Sequence, residues 1–241
     1  MKLSCWTTCV GLAGIVVATT TLSAQQVTSE DVVSACADAM GGQAAIDNVS
    51  TIRLTYQLPD HGGPATLEIR RPNLLRVGDL VFDGDRAAFL ARQPLADGTP
   101  RPAELVPSEE WKDFEMEVGW FFPVFFDFPS EYGGIEVIDG IETHRLDVHL
   151  PLGARLTYFI DTATHLPLML ESFVTVRGRK SRYVRRFGDY RETGGILYPQ
   201  TFTYYSHHVR EMFTVPIEEL ELNVPMEDGR FAIPAGLNEP K

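Results

Sequence analysis

Hydrophobic and polar residues alternate along most of this chain, with the two-residue period of a β-strand that buries one face. Ile52, Leu54, Tyr56 and Leu58 set the pattern, which resumes with Ala65, Leu67 and Ile69 after a turn at 60–63. The same alternation recurs over 143–150, 154–160, 166–176, 179–187, 197–205, 209–215 and 217–223. Short links at 151–153, 161–164, 177–178 and 194–195 have the composition of hairpin turns. Consecutive strands joined by tight turns predict an antiparallel meander.

A helical period precedes the strands. Thr28 and the acidic residues after it predict the start of a helix. Val32, Val33, Cys36 and Met40 follow at helical spacing, and Gly41-Gly42 predicts its end. Residues 43–49 predict a second short helix. Cys36 is expected on the buried side as a small hydrophobic residue.

The strand pattern is interrupted over 91–132. A loop with Pro and Gly is followed by Ser108-Glu109-Glu110, a candidate helix start, and then by nine of the chain's 25 aromatic residues within 22 positions. These are Trp111, Phe114, Trp120, Phe121, Phe122, Phe125, Phe126, Phe128 and Tyr132. So many rings need a large apolar surface, so they either fill the core of a curved sheet or line and cover a cavity for an apolar ligand. The acids at 109, 110, 113, 115 and 117 are expected on the wet side of this segment.

Arg71 ends the strand 65–71 with the parity of its apolar residues. An arginine on the inward face needs a partner or a wet cavity, unless it reaches solvent at the strand end. Pro72 follows it and cannot donate to a sheet.

Arg71-Pro72-Asn73 followed by the Asp83-Gly84 turn resembles the periplasmic carriers that move lipoproteins to the outer membrane. The run from Tyr190 to Pro199 and the close from Asn223 to Phe231 are similar to the broader lipoprotein-sorting-like group. In those carriers a helical segment covers the mouth of a half-barrel, and the arginine of the Arg-Pro motif binds that segment when the cavity is empty. The resemblance therefore implies a gating role for Arg71.

The fold expected from pattern and resemblance together is α+β. A strongly curved antiparallel β-sheet, an incomplete β-barrel, is plugged by short helices over a hydrophobic cavity. Residues 25–241 are expected to form this single domain after a signal peptide at 1–24. The candidate ligand-binding residues are Arg71, Leu54, Tyr56, Leu67, Ile69, Trp111, Phe114, Trp120, Phe121, Phe122, Phe125 and Phe126.

The N-terminus predicts export. Lys2, an apolar run of about ten residues and a small-residue exit at Ala24 are typical of a secretory signal, and the run is shorter than the roughly 20 residues that span a bilayer. We expect cleavage near Ala24 and a periplasmic mature protein. Cys5 and Cys9 leave with the signal, so Cys36 has no internal disulfide partner.

The net charge argues against nucleic acid as a partner. The formal charge is −12, and −13 without the signal, which contains one lysine and no acid. One basic hairpin (Arg177, Arg179, Lys180, Arg182, Arg185 and Arg186) is either a solvated sheet edge or a contact for an acidic partner or lipid headgroup.

No metal-binding, nucleophile or phosphate-loop motif is present, and no pair among the many acids stands out. The chain is therefore interpreted as a non-enzymatic monomer without a cofactor or metal. It would bind acyl chains of lipoproteins or lipids, taking them from an inner-membrane donor to an outer-membrane acceptor. The alternative is a periplasmic sensor with the same half-barrel, which detects mislocalised lipid or lipoprotein and signals through a protein partner.

Overall fold

The computed structural model describes residues 26–57, 64–90, 98–99, 102–176, 179–206 and 212–238. Within them lie three α-helices, α1 (Ser29–Ala39), α2 (Gln43–Asp47) and α3 (Trp111–Phe121). The thirteen strands are β1 (Thr51–Gln57), β2 (Pro64–Arg70), β3 (Leu74–Val77), β4 (Leu80–Phe82), β5 (Ala87–Phe89), β6 (Glu104–Leu105), β7 (Ser130–Ile138), β8 (Ile141–His149), β9 (Arg155–Asp161), β10 (Pro167–Val176), β11 (Arg179–Thr193), β12 (Ile196–Ser206) and β13 (Phe213–Leu222). None of the described helices is long and apolar enough to cross a membrane.

All thirteen strands form one antiparallel sheet in the order β6-β5-β4-β3-β2-β1-β13-β12-β11-β10-β9-β8-β7. The first strand, β1, lies near the centre of the sheet, and the strands β2 to β6 follow outward to one edge. The chain then crosses to the opposite edge at β7, and the strands β8 to β13 lead back to the centre. There β13 pairs with β1, with Ile52 opposite Leu222. The expected α+β fold, a curved antiparallel sheet with few short helices that does not close into a barrel, is confirmed.

The first helix forms as the sequence predicts. The Thr28 hydroxyl accepts a hydrogen bond from the Asp31 amide, and the Asp31 carboxylate accepts one from the Thr28 amide, a reciprocal cap. Gly42 has a positive φ of 98° between α1 and α2, a conformation that favours glycine. Cys36 is fully buried, and this burial raises its pKa.

The main core lies on the inner face of the sheet, the face covered by the helices. Ile52, Leu54, Leu67 and Ile69 occupy alternate positions of β1 and β2 and are fully buried there. Aromatic side chains of the crossover and of the later strands, such as Phe122, Tyr158 and Phe202, pack into the same core. The predicted inward parity of these strands is therefore correct.

A smaller core lies on the outer face. Val81, Ala88 and Leu105 pack there against Phe231 and Ile233 of the C-terminal segment. The same segment brings Arg230 to Glu68, with Nε and Oε2 2.6 Å apart, so Glu68 is only 3% exposed. Alternation assigned Glu68 to the outer face, and that face is covered because the C-terminal segment folds over it.

The short strand β6 lies in the stretch predicted as a loop, and two longer strands were also predicted wrongly. The strand β7 was missed because its pairing shifts between Tyr132 and Gly134, so the alternation breaks in the middle. The second error divided β13 at Pro216, which lies opposite Thr201 within one continuous strand. Residues 209–211 of the predicted first half lie outside the described residues.

Candidate functional site

Residues 107–128, the crossover segment, connect the two edges of the sheet across its inner face. They form a 3-10 turn (Ser108–Glu110), the helix α3 and a second 3-10 turn (Val124–Phe126). No side chain caps α3 at its N-terminus, so the predicted start signal at Ser108 gives only the 3-10 turn. The helix is therefore fixed mainly by contacts with the sheet.

Three side chains of the sheet bind the carbonyls at the C-terminus of α3, which have no partner within the helix. Tyr158 donates its hydroxyl to the Gly119 carbonyl at 2.8 Å, and Arg185 donates Nη1 to the Trp120 carbonyl at 2.8 Å. The Tyr198 hydroxyl donates to the Phe121 carbonyl. The positive charge of Arg185 also interacts favourably with the helix dipole, whose negative end lies at the C-terminus of α3.

Gly119 allows this close approach. A Cβ at this position would lie 2.3 Å from Leu156 Cδ1 and 2.9 Å from the Tyr158 hydroxyl. Any larger residue would push α3 away from β9, because both atoms belong to fully buried side chains.

Arg71 joins three separate segments of the chain. Its Nε and Nη2 bind the two oxygens of Asp127 at 2.9 and 2.8 Å, a bidentate pair with the end of the crossover segment. Its Nη1 donates to the carbonyls of Ile46 and Val49, the latter at 2.8 Å, and its guanidinium lies 4.6 Å from the ring of Phe122. Arg71 therefore holds the crossover segment against α2 and the end of β2.

Glu115 attaches the middle of α3 to the sheet. Its carboxylate accepts hydrogen bonds from the Leu152 amide at 3.1 and 3.0 Å, and its side chain is 1% exposed. Burial raises the pKa of Glu115 to about 7, against the opposing effect of the amides of Leu152 and Ala154. Glu115 was expected on the wet side of the segment, and this expectation was wrong because the turn between β8 and β9 covers it.

This environment predicts a pH dependence. The pKa of Glu115 is higher in the folded protein than in the unfolded chain, so the folded state binds more protons between pH 4.5 and about 7 and loses stability as the pH rises through that window. The pKa values of Asp113, about 6, and Glu117, about 7, are also raised by burial and act in the same direction. Glu115→Gln is expected to reduce the loss of unfolding free energy between pH 5 and pH 8, measured by denaturant titration.

The wild-type protein is the reference for that comparison. The opposite contribution of His144, whose pKa is lowered by burial, is present in both proteins and cancels. An identical pH dependence in both proteins would show that Glu115 ionises normally.

The aromatic cavity lies between α3 and the inner face of the sheet and has a volume of about 390 Å³. Its wall combines both halves of the sheet with the helix, and it is lined by Tyr56, Val77, Leu80, Phe89, Glu117, Trp120, Phe121, Arg185 and Tyr204. The volume lies within the range of roughly 300–1,000 Å³ typical of small-molecule sites, near its lower end. A mostly apolar wall with a few polar groups suits a ligand with one apolar chain.

Arg185 is the central polar group of this cavity. Only 3% of it is exposed, and its guanidinium carbon lies 3.9 Å from the ring centre of Tyr204 and 4.2 Å from that of Phe121. The rings of Trp120 and Phe202 lie 4.9 and 5.0 Å away. Four rings thus surround the charge through cation–π contacts.

The sequence-predicted ligand residues fall into three groups. Tyr56, Trp120 and Phe121 line the aromatic cavity. The residues Leu54, Leu67, Ile69, Phe122 and Phe125 are buried in the main core, while Phe114, Phe126 and Trp111 are partly buried against it. Arg71 lies among Ile46, Val49, Phe122 and Asp127, and the cavity is lined by other residues.

Sequence reasoning missed Arg185 and Glu117. Glu117 was expected on the wet side of its helix, and this was wrong because that position lines the aromatic cavity. Arg185 was assigned to the basic hairpin, although it shares the strand parity of Tyr183 and Phe187, which pack into the main core. Arg182, by contrast, pairs with Glu171 on the other face. The parity of the two aromatic neighbours is the signal that separates Arg185 from the rest of the hairpin.

No metal centre is formed by the described residues, among which no three His, Cys, Asp or Glu side chains lie close enough to hold an ion. His207 and His208 lie outside that part of the chain.

No protein-family model and no curated protein matches this sequence. Among solved structures, the chain is similar to a LolA superfamily protein from Nitrosomonas europaea, with 12% identity, 86% of this chain and 99% of that chain covered, and a TM-score of 0.51. A putative outer membrane lipoprotein-sorting protein domain from Vibrio parahaemolyticus matches at 11% identity over 83% of this chain and 94% of that chain, with a TM-score of 0.42. The chain therefore has a fold similar to that of the LolA superfamily protein, in agreement with the resemblance found in the sequence.

Proposed function

We propose that this protein is a periplasmic, non-enzymatic carrier that holds an acyl chain of a lipoprotein or lipid and conveys it toward the outer membrane. The aromatic cavity between α3 and the sheet supports this proposal most strongly. Each buried methylene contributes roughly 0.8 kcal/mol, so an acyl chain in such a cavity binds usefully without any catalytic group.

The proposal assigns the residues different roles. Tyr56, Trp120 and Phe121 contact the bound chain directly because they line the cavity. The other predicted apolar ligand residues become accessible to a larger cargo only when the crossover segment lifts from the sheet. They are the core residues Leu54, Leu67, Ile69, Phe122 and Phe125, with Trp111, Phe114 and Phe126 around them.

Arg71 controls that movement in this proposal. Its bonds to Asp127 and to the carbonyls of Ile46 and Val49 close the segment over the empty cavity. Loading of the cargo breaks these bonds of Arg71. Their re-formation on release favours transfer of the cargo to an acceptor.

The periplasmic location is part of the proposal and rests on the N-terminal pattern from Lys2 to Ala24, which precedes the described residues. Cleavage near Ala24 would yield the periplasmic carrier. A donor at the inner membrane and an acceptor at the outer membrane are its proposed partners.

Native mass spectrometry of the protein purified from its own periplasm tests the function. We expect a lipid or acylated adduct on a monomer. In a vesicle assay, the protein should transfer that cargo from labelled vesicles to unlabelled ones without chemical change. A protein free of lipid that captures the periplasmic domain of one membrane protein would instead support the sensor alternative. Chemically altered lipid after incubation would contradict a non-enzymatic carrier.

A further inference from the structure

The buried charge of Arg185 is only partly compensated by its neighbours. Of its guanidinium donors, Nη1 binds the Trp120 carbonyl, whereas Nε is buried and has no hydrogen-bond partner among the described residues. No carboxylate of those residues forms an ion pair with it. An arginine buried without an ion-paired carboxylate costs several kcal/mol in general, so a structure that keeps one commonly has a use for it.

The position of this charge points to a ligand. Arg185 lines the aromatic cavity that the proposed carrier uses for its acyl chain, and the only acidic side chain in the lining of that cavity is Glu117. The planar guanidinium fork binds a carboxylate or phosphate through two parallel hydrogen bonds. A mostly apolar wall with one buried cation therefore matches an amphiphile with an anionic head.

Building on the proposed carrier function, we propose that the aromatic cavity binds single-chain anionic amphiphiles, with the carboxylate or phosphate head on Arg185 and the chain against Tyr56, Leu80, Trp120 and Phe121. The head group enters first and the chain fills the cavity behind it. The cargo is thereby restricted to a fatty acid or a lipid with one accessible anionic head, and neutral chains bind more weakly.

Glu117 makes this site sensitive to pH. Burial raises its pKa to about 7, with Arg185 acting in the opposite direction and Asp113 in the same direction. The other titratable groups that face Arg185 are the phenols of Tyr56, Tyr158, Tyr198 and Tyr204, whose pKa values are raised by burial and which stay neutral below pH 9. Below pH 7 the cavity is thus more positive, and above it the Glu117 carboxylate competes with the ligand for the guanidinium.

Displacement of a neutral fluorescent probe, the methyl ester of cis-parinaric acid, tests the proposal with ligands of one chain length. Laurate and dodecyl phosphate carry an anionic head, whereas dodecanol is neutral. At pH 6 we expect at least one of the anions to bind roughly ten- to a hundredfold more tightly than dodecanol, since one charge-assisted hydrogen bond has that effect. The tighter of the two anions identifies the head group.

Arg185→Gln should abolish this preference while dodecanol still displaces the probe. The matched control is Arg182→Gln, on the same strand but paired with Glu171 on the other face, which should keep it. Loss of the Trp120 bond in Arg185→Gln can disturb α3, so Glu117→Gln provides a second variant that keeps Arg185. In wild type the preference for laurate should fall between pH 6 and pH 8, and in Glu117→Gln it should not.

Equal affinity of all three ligands for the wild type would overturn the anion site and leave the carrier function standing. The same holds if the Arg182 control loses the preference as Arg185→Gln does, or if the pH dependence survives in Glu117→Gln. Failure of dodecanol and of the probe to bind would contradict the proposed carrier function itself.

Discussion

Arg71→Leu is expected to lower the free energy of unfolding by about 3 kcal/mol, the cost of breaking one side of a largely buried ion pair. Arg71 and Asp127 have side chains that are only 10% and 15% exposed, so the change leaves a carboxylate nearly desolvated. It also removes the donor to the carbonyls of Ile46 and Val49. Denaturant titration measures this loss.

The same variant should separate binding from release. With the crossover segment no longer held, a neutral acyl probe binds the folded fraction at least as tightly as it binds wild type, but transfer to acceptor vesicles is slow because closure no longer favours release. Arg71→Lys should restore only part of the transfer, since an ammonium cannot bind Asp127 through a planar fork.

Arg70→Leu is the control for both measurements. Arg70 is adjacent in sequence but lies on the outer face, where its Nη2 donates to the Met226 carbonyl at 2.7 Å. A larger transfer defect in Arg70→Leu than in Arg71→Leu, or normal transfer in both, would contradict the gating role of Arg71.

Phe125→Ala is expected to change stability alone, whereas Phe121→Ala is expected to change both stability and ligand affinity. Phe125 packs edge-to-face on Tyr158, with ring centres 4.9 Å apart, and lies outside the lining of the aromatic cavity. Its removal should lower stability by about 3–5 kcal/mol, as for other buried phenylalanines, and leave probe affinity of the folded protein unchanged. Phe121 packs on Phe202 and Tyr56 and also lines the cavity, so its removal should weaken probe binding as well as stability.

Thermal melts and probe titrations at a temperature where both variants are folded distinguish the two effects. Equal loss of affinity in Phe121→Ala and Phe125→Ala would contradict the distinction between a cavity-lining and a core phenylalanine.

The strands could be predicted from sequence because each has its own alternation. Ile52, Leu54 and Tyr56 give the inner face of β1 without any knowledge of its neighbours. The pairing of β1 with β13 could not be predicted, because it joins residues about 170 positions apart and neither strand carries a local signal for the other. This pairing merges two runs of strands into one sheet.

The inward position of Arg71 followed from strand parity and its Arg-Pro context, but its partner Asp127 did not. Asp127 lies 56 residues later in a turn whose position depends on how α3 crosses the sheet. Glu115 and Glu117 show the same limit, since the surroundings of Glu115 come from the β8–β9 turn and those of Glu117 from the cavity that it lines with Arg185, rather than from the pattern of their own helix. Arg185 was hidden in a run of basic residues, where composition was a weaker guide than parity.

Photo-crosslinking tests most directly whether an acyl chain lies between the crossover segment and the sheet. A neutral dodecanol with a diazirine near its chain end is irradiated with the wild-type protein, and the modified residues are located by mass spectrometry. We predict adducts on residues that line the aromatic cavity, above all Tyr56, Leu80, Phe89 and Trp120, and competition by unlabelled dodecanol. Adducts confined to the outer face, or scattered ones that dodecanol does not reduce, would contradict binding in this cavity.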